Sequence, residues 1–144
     1  MIRYKLYQNQ SKGSSMYGYW YARAVTDETI GLEKLAEHMA AHNTPYSQGC
    51  IYGVLRDMVA CIKELVVDGK AVKVDDLAIF SAGIVTSAAK TASDFTAAAN
   101  IRSVRLRARA TGKLRTATLT SETSKKEVSA YTVEKSDGSG SVEP

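Results

Sequence analysis

The chain has 144 residues, of which 44% are hydrophobic and 24% charged, and its formal net charge at pH 7 is +4. This length and apolar fraction suit one ordinary domain with a packed core and short appendages. No apolar run approaches the roughly 20 residues that span a bilayer, and the first ten residues, MIRYKLYQNQ, lack the apolar segment of a secretory signal, so we expect a cytoplasmic protein with no membrane association.

Residues 1–25 have the pattern of a β-hairpin. In IRYKLY, Ile2, Tyr4 and Leu6 alternate with Arg3, Lys5 and Tyr7. The stretch MYGYWYARAV is rich in aromatic and β-favouring residues, and the polar QNQSKGSS separates the two. We therefore predict a hairpin that precedes the main domain.

Two helices are predicted next. The apolar residues of GLEKLAEHMAAHN lie at i, i+3, i+4 and i+7, and Asn43 and Pro45 end this first helix. The second helix, in SQGCIYGVLRDMVACIKELVVDGK, has Ser47 as its N-cap and Gly69 at the C′ position. Its apolar stripe is too wide for one short helix to cover, so a second subunit or a sheet must supply the remaining cover.

The chemically reactive side chains of these helices do not form an enzyme-like arrangement. Cys50 and Cys61 lie about 16 Å apart along one helix, too far for a disulfide, which predicts reduced, partly buried thiols. His38 and His42 lie at i and i+4 without a third ligand nearby, so surface histidines are favoured over a metal site. There is no phosphate-binding glycine loop, CxxC or HExxH motif. We expect no catalytic residue, metal, cofactor or small-molecule substrate.

The rest of the chain predicts a small sheet. AVKVDDLAIFSAGIV is typical of two strands around a turn at Asp75 and Asp76, and TSAAKTASDFTAAAN of a loop or arm. TGKLRTATL predicts a short helix capped by Thr111, and residues 121–144 are predicted to be a disordered tail.

The predicted strand IRSVRLRARA gives the clearest indication of function in the sequence. Its alternation directs Val104, Leu106 and Ala108 to one side and Arg105, Arg107 and Arg109 to the other. Residues 101–118 hold six basic side chains and no acidic one, whereas residues 26–68 hold seven acidic and three basic ones. Phosphate contact with nucleic acid is favoured, and a solvated strand face is the alternative. A disordered basic tail fits less well, because the strand has an apolar side that can pack.

The order of these elements resembles that of the HU/IHF family of bacterial histone-like DNA-binding proteins. LVVDGKAVKVDDLAIFSAGI is similar to the family's helix end, Gly-Lys turn, strand, glycine-rich turn and second strand, with Phe80 kept. VRLRARATGKLR is similar to the run before the last helix: Gly112, Lys113 and Leu114 match, but Ala108 and Thr111 replace a Phe and a Pro. YKLYQNQ, YWYARAV and DFTAAANI resemble the HU-like subgroup of Bacteroidetes, HU-HIG. The resemblance covers residues 1–120.

The resemblance implies an α+β fold and an HU/IHF-like intertwined homodimer. Two N-terminal helices would be followed by an antiparallel sheet with a short β-arm and a short C-terminal helix. The expected parts are a hairpin extension at 1–25, the HU/IHF-like domain at 26–120 and the tail at 121–144. The residues expected at the dimer interface are Ile51, Leu55, Met58, Ile62, Leu65 and Phe80.

The function implied is architectural, largely sequence-independent binding and condensation of double-stranded DNA in the nucleoid. Members of the family wedge an arm-tip proline between base pairs, but the only prolines here are Pro45 and Pro144, outside the arm. Binding would therefore rest on the basic strand and its surroundings. The expected DNA contacts are Arg102, Arg105, Arg107, Arg109, Lys113 and Arg115, with Lys70, Lys73 and Lys90 as lesser ones, and with Arg3, Lys5 and Arg23 as candidates for extending the face. The alternative is a protein-interaction or scaffold module that keeps the fold and has lost most DNA binding.

Overall fold

A computed structural model describes residues 1–128, which fall into two compact units. The first contains Met1–Thr29 and residues 122–128, and the second contains Ile30–Ser121. In chain order the elements are β1 (Ile2–Gln8), β2 (Trp20–Val25), α1 (Leu32–Ala40), α2 (Gln48–Val67), β3 (Val72–Val74), β4 (Ala78–Thr86), α3 (Ala97–Asn100), β5 (Ile101–Ala110), a 3₁₀ turn (Gly112–Leu114), α4 (Thr116–Glu122) and β6 (Lys125–Glu127). The mixed α+β class is confirmed, and the intertwined dimer stays a prediction.

The first unit is a three-stranded sheet with the order β2-β1-β6. β1 and β2 form the predicted antiparallel hairpin, with Arg3 opposite Val25 and Gln8 opposite Trp20 at its two ends. β6 pairs in parallel with β1, so the prediction of disorder is wrong for residues 125–127. Ser121 and Glu122 of that predicted tail lie in α4, which also contradicts the prediction, and its residues 129–144 lie outside the described residues.

Both predicted helices form: α1 ends at Ala40, three residues before Asn43, and α2 begins and ends where the sequence predicted. The Ser47 hydroxyl accepts a hydrogen bond from the Cys50 N–H (3.2 Å), as an N-cap residue does. At the other end of α2, the Gly69 N–H donates to the Val66 carbonyl (3.1 Å) and the Lys70 N–H to the Leu65 carbonyl (2.9 Å). These two bonds form a Schellman motif, and Gly69 supplies the positive φ (80°) that it requires.

The second sheet has the order β3-β4-β5, and both pairings are antiparallel. The predicted Asp75–Asp76 turn joins β3 to β4, with Asp76 at a φ of 60°. The register of β4 with β5 is continuous from Ala78 opposite Ala110 to Val85 opposite Ser103, and a β-bulge then leaves Arg102 without a partner on β4. The long β4–β5 pairing fixes which β5 side chains share a face.

The second unit buries little apolar surface within one chain. Among residues 1–128 the buried hydrophobic residues are Ala36, Ile51, Val66 and Ala78, and no large side chain is fully buried. α2 and the sheet border an open apolar groove, which we define by its apolar residues Met58, Val59, Ile62, Val66, Val67, Leu77, Phe80, Ala82, Val104 and Leu106. Lys63 and Arg105 also line it. Val67 in this groove is 79% exposed and Val104 is 68% exposed. The single chain therefore leaves this apolar surface uncovered.

The residues predicted at a dimer interface differ in their exposure. Ile51 is already buried within its own chain, Leu65 is exposed, and the other four are half-buried. The two thiols were predicted to be partly buried, and this is wrong, because Cys50 and Cys61 are both exposed free cysteines. Cys50 lies in the first turn of α2 and Cys61 further along the same helix, and in the single chain neither thiol is covered by another element.

Candidate nucleic-acid interface

Three arginines lie on one face of β5. Arg105, Arg107 and Arg109 are opposite Gly83, Ser81 and Ile79 of β4 and are all exposed. Alternate residues of a strand point to the same side and lie about 6.8 Å apart. We call these three residues the arginine row, and the predicted alternation of β5 produces it.

The charge of the arginine row is not compensated within the part of the chain that the structure describes. No carboxylate of residues 1–128 forms an ion pair with Arg105, Arg107 or Arg109. Their cross-strand partners are uncharged, so no neighbour on β4 offsets them. Three parallel cations without an acidic partner present a positive potential to solvent and suit a polyanion.

Gly83 makes room for the middle of the row. A Cβ atom at this position would lie 2.6 Å from Cδ and 2.9 Å from Cγ of Arg107. The aliphatic part of Arg107 therefore crosses β4 directly over the Gly83 backbone, which is buried beneath it. Any larger residue at position 83 would require the Arg107 side chain to shift.

Arg115 extends the basic surface beyond the end of β5. Arg109 and Arg115 line one surface depression together with Ile79, Thr111 and Thr116. Arg115 follows the 3₁₀ turn, which was predicted as part of a single helix capped by Thr111. That prediction is wrong in detail: Thr111 makes no side-chain cap bond, and the helix α4 begins only at Thr116.

The corner after β5 is held by a close contact with the β3–β4 turn. The Lys113 N–H donates to Asp76 Oδ1 (3.3 Å), and the Thr111 N–H donates to the Leu77 carbonyl (3.1 Å). Gly112 has a φ of 53°, and a Cβ there would lie 2.7 Å from the Asp76 Cα. Glycine is therefore required at position 112, both because φ is positive and because a Cβ would collide with Asp76.

The other predicted DNA contacts differ from the arginine row. Lys70 forms an ion pair with Asp68 (2.6 Å), Lys73 with Asp75 (3.2 Å), and Lys113 approaches Asp76 (4.0 Å). All three lysines are exposed, so these ion pairs contribute little stability. Unlike the arginines of the row, however, each lysine has a carboxylate beside it that offsets its charge. Arg102 is the extra residue of the bulge, and Lys90 lies in the loop after β4.

The predicted short β-arm is a closed loop. Among residues 87–96 the structure places no strand, and the single helical turn α3 follows. The buried Asn100 closes the base of this loop: its Oδ1 accepts from the Thr96 N–H (3.0 Å), and its Nδ2 donates to the Ser87 carbonyl (3.3 Å). The Ser87 N–H in turn donates to the Asn100 carbonyl (2.8 Å). Residues 87–96 therefore form a loop whose base is closed by Asn100, in place of the predicted pair of arm strands.

Sequence reasoning did not identify Gly83, Asn100 or Asp76 as residues that shape this interface. The contact of Gly83 with Arg107 depends on the cross-strand register, and the Asn100 bonds join residues about a dozen positions apart. An isolated glycine inside a strand pattern, which often marks close backbone approach, was the available signal for Gly83.

Comparisons with known proteins agree with this architecture. A family model described as HU-HIG, "HU domain fused to wHTH, Ig, or Glycine-rich motif", matches residues 1–126. The crystal structure of a protein of Bacteroides vulgatus ATCC 8482, described as a bacterial protein proposed to bind DNA, is similar, with a TM-score of 0.65 and 19% sequence identity. The similarity covers 88% of the present chain and 48% of the other, so the present chain matches about half of that protein. No curated protein matches the sequence.

Proposed function

The chain belongs to the HU-HIG family, and from that premise we propose that it is a homodimeric, architectural protein that binds double-stranded DNA largely without sequence preference, in the nucleoid. The likeness to the Bacteroides vulgatus protein supports the fold, and that protein's description is consistent with a DNA ligand. The arginine row is the observation that carries the proposal.

The row suits phosphates better than bases. Arg105, Arg107 and Arg109 repeat one chemical group at a regular spacing, and each lacks an ion-pair partner in the described chain. Contacts to phosphates release condensed counterions and supply affinity that is independent of sequence. Because arginine is always charged, the row keeps its charge throughout the physiological pH range.

The apolar groove supports a dimer. Val67, Val104 and Leu106 are exposed within it, although apolar residues on a soluble chain normally cluster away from water. A second copy would cover the same groove by two-fold symmetry. Two copies would also present two arginine rows, which doubles the number of available phosphate contacts.

The first test replaces the arginine row. Arg105, Arg107 and Arg109 are changed together to Gln, and affinity for a labelled duplex is measured by fluorescence anisotropy at low salt. We expect affinity to fall by at least about 100-fold, because about three phosphate contacts per chain are lost. The control, Lys12, Lys34 and Arg56 to Gln, changes net charge equally and should retain most of the affinity. Equal affinities for the two variants would refute the proposal.

The closed loop favours the second candidate, a scaffold or protein-interaction module on the same fold. Asn100 ties the loop at its base, and there is no proline between residues 87 and 96. Changing the three row arginines to Glu distinguishes the two functions. Unchanged protein partners together with no loss of DNA binding would favour the scaffold, whereas loss of DNA binding would favour the arginine row as its site.

A further inference from the structure

The sheet of the first unit has a face that combines aromatic rings with cations. Residues that are opposite each other in register lie on the same face of a sheet. Tyr7 is opposite Tyr21, Lys5 is opposite Arg23, and Arg3 is opposite both Val25 and Lys126. We call these seven residues the tyrosine face: Arg3, Lys5, Tyr7, Tyr21, Arg23, Val25 and Lys126.

The planar groups of this face lie close together. The ring centroids of Tyr7 and Tyr21 are 5.8 Å apart, with an angle of 30° between the rings. The guanidinium carbon of Arg23 lies 4.1 Å from the centroid of the Tyr7 ring, a cation–π contact that holds both groups in place. Tyr21 is 40% exposed, so a ligand can reach this residue from solvent.

The cations of the face lie opposite one another. Lys5 is opposite Arg23, and Arg3 is opposite Lys126. Like charges directly across a strand pair destabilise a sheet, and a bound anion would offset that cost. Arg3 forms an ion pair with Asp27, whereas Arg23 and Lys126 form none within residues 1–128.

We propose that the tyrosine face binds single-stranded nucleic acid, with unpaired bases stacking on its planar groups and its cations contacting the phosphates. Only an unpaired base can offer its flat face to a ring, since a duplex presents phosphates and groove edges. The arginine row differs, because its partners Ile79, Ser81 and Gly83 provide no aromatic ring. This proposal therefore concerns a second ligand and does not depend on duplex binding.

The test uses the full chain and labelled oligothymidylate and oligouridylate of about 20 nucleotides, longer than the roughly 16 that a large single-strand site occupies. Tyr7 and Tyr21 are changed together to Ile, which keeps bulk and β-propensity but removes the planar rings. We expect affinity for the single strand, measured by fluorescence anisotropy, to fall by about tenfold or more. Affinity for a duplex should stay unchanged. Tighter binding of one oligonucleotide identifies the preferred strand, DNA or RNA.

Two further variants keep the test decisive. Tyr17→Ile, in the hairpin loop outside the tyrosine face, should bind single strands like the unchanged protein. Arg23→Gln keeps both tyrosines and should weaken single-strand binding several-fold, which tests the face even where the double variant misfolds. No single-strand binding at low salt, equal losses for Tyr17→Ile and the double variant, or unchanged affinity for Arg23→Gln would overturn the proposal.

The two proposed sites can be refuted independently of each other. Changing Arg105, Arg107 and Arg109 to Gln should remove duplex binding and leave single-strand affinity within about threefold. Absence of duplex binding in the unchanged protein would refute the proposed function alone. Equal loss of both ligands in the tyrosine variants would overturn the single-strand site, because removal of the rings would then not act specifically on unpaired bases.

Discussion

At the scale of single residues, the candidate interface depends on the absence of a side chain at Gly83. Arg107 crosses β4 where Gly83 has no side chain, at a distance that no Cβ could tolerate without a shift. The Arg105 Cγ lies further off, at 3.7 Å from the position of that Cβ. Gly83 is thus a positioning residue for the middle of the arginine row, although it carries no charge itself.

Gly83→Ala is therefore expected to weaken duplex binding. The new methyl group would push the Arg107 side chain off the sheet, and the dependence of log affinity on log salt should become shallower by about 0.9 per displaced phosphate contact. The matched control is Gly53→Ala on α2, where a Cβ would meet nothing within 4 Å. That change should raise the free energy of unfolding by about 0.5–1 kcal/mol and leave binding unaltered. Unchanged binding by Gly83→Ala would show that Arg107 is not held by this contact.

At the scale of the elements, local sequence patterns correctly predicted those features that are determined by residues close together in the sequence. The caps Ser47 and Gly69 fix the ends of α2 through bonds to residues three or five positions away. The alternation of β5 gave the arginine row, because a strand has a fixed period of two. The closed loop was not predictable in the same way, since Asn100 bonds to Ser87 thirteen positions earlier.

Strand β6 also could not be predicted from local sequence. Lys125–Glu127 is polar and lies in a stretch whose composition is typical of disorder, yet it pairs with β1 more than a hundred residues away. Backbone bonds to a distant strand stabilise this segment, and composition contains no information on them. The exposure of the two thiols was likewise set by which surfaces other elements cover, not by the helix pattern around them.

Asn100 is expected to hold the β4–β5 loop closed. Asn100→Ala leaves the Thr96 N–H and the Ser87 carbonyl without their side-chain partners, which should lower the free energy of unfolding in urea by about 1–3 kcal/mol. Hydrogen exchange at the Thr96 amide should become faster. Ser87→Ala, which removes only a 3.5 Å hydroxyl contact with the Asn100 carbonyl, is the control and should change stability by less than about 0.5 kcal/mol. Equal stability of the two variants would contradict this role.

At the scale of the whole molecule, the scarcity of buried side chains is the main feature. Among the described residues no large side chain is fully buried, and the apolar groove remains open. No helix within residues 1–128 is long and apolar enough to cross a membrane. Because the groove is open within the single chain, we propose a second copy as its cover.

Leu106→Asp is expected to prevent that association. A carboxylate in the apolar groove would be desolvated on dimerisation without a partner, so sedimentation should show a monomer. Ser103→Asp places the same charge on the opposite face of the same strand and should leave a dimer. A dimer in both cases would place the contact elsewhere on the molecule.

The central claim is that the arginine row binds the phosphates of duplex DNA, and the salt dependence of affinity tests it most directly. Affinity for one duplex is measured across a range of salt concentrations, for the unchanged protein and for the variant with Arg105, Arg107 and Arg109 changed to Gln. We predict a steep decline of log affinity with log salt, and a slope that is shallower in the variant by about 2.7 per chain, 0.9 for each lost phosphate contact. Parallel slopes for the two proteins would contradict the claim.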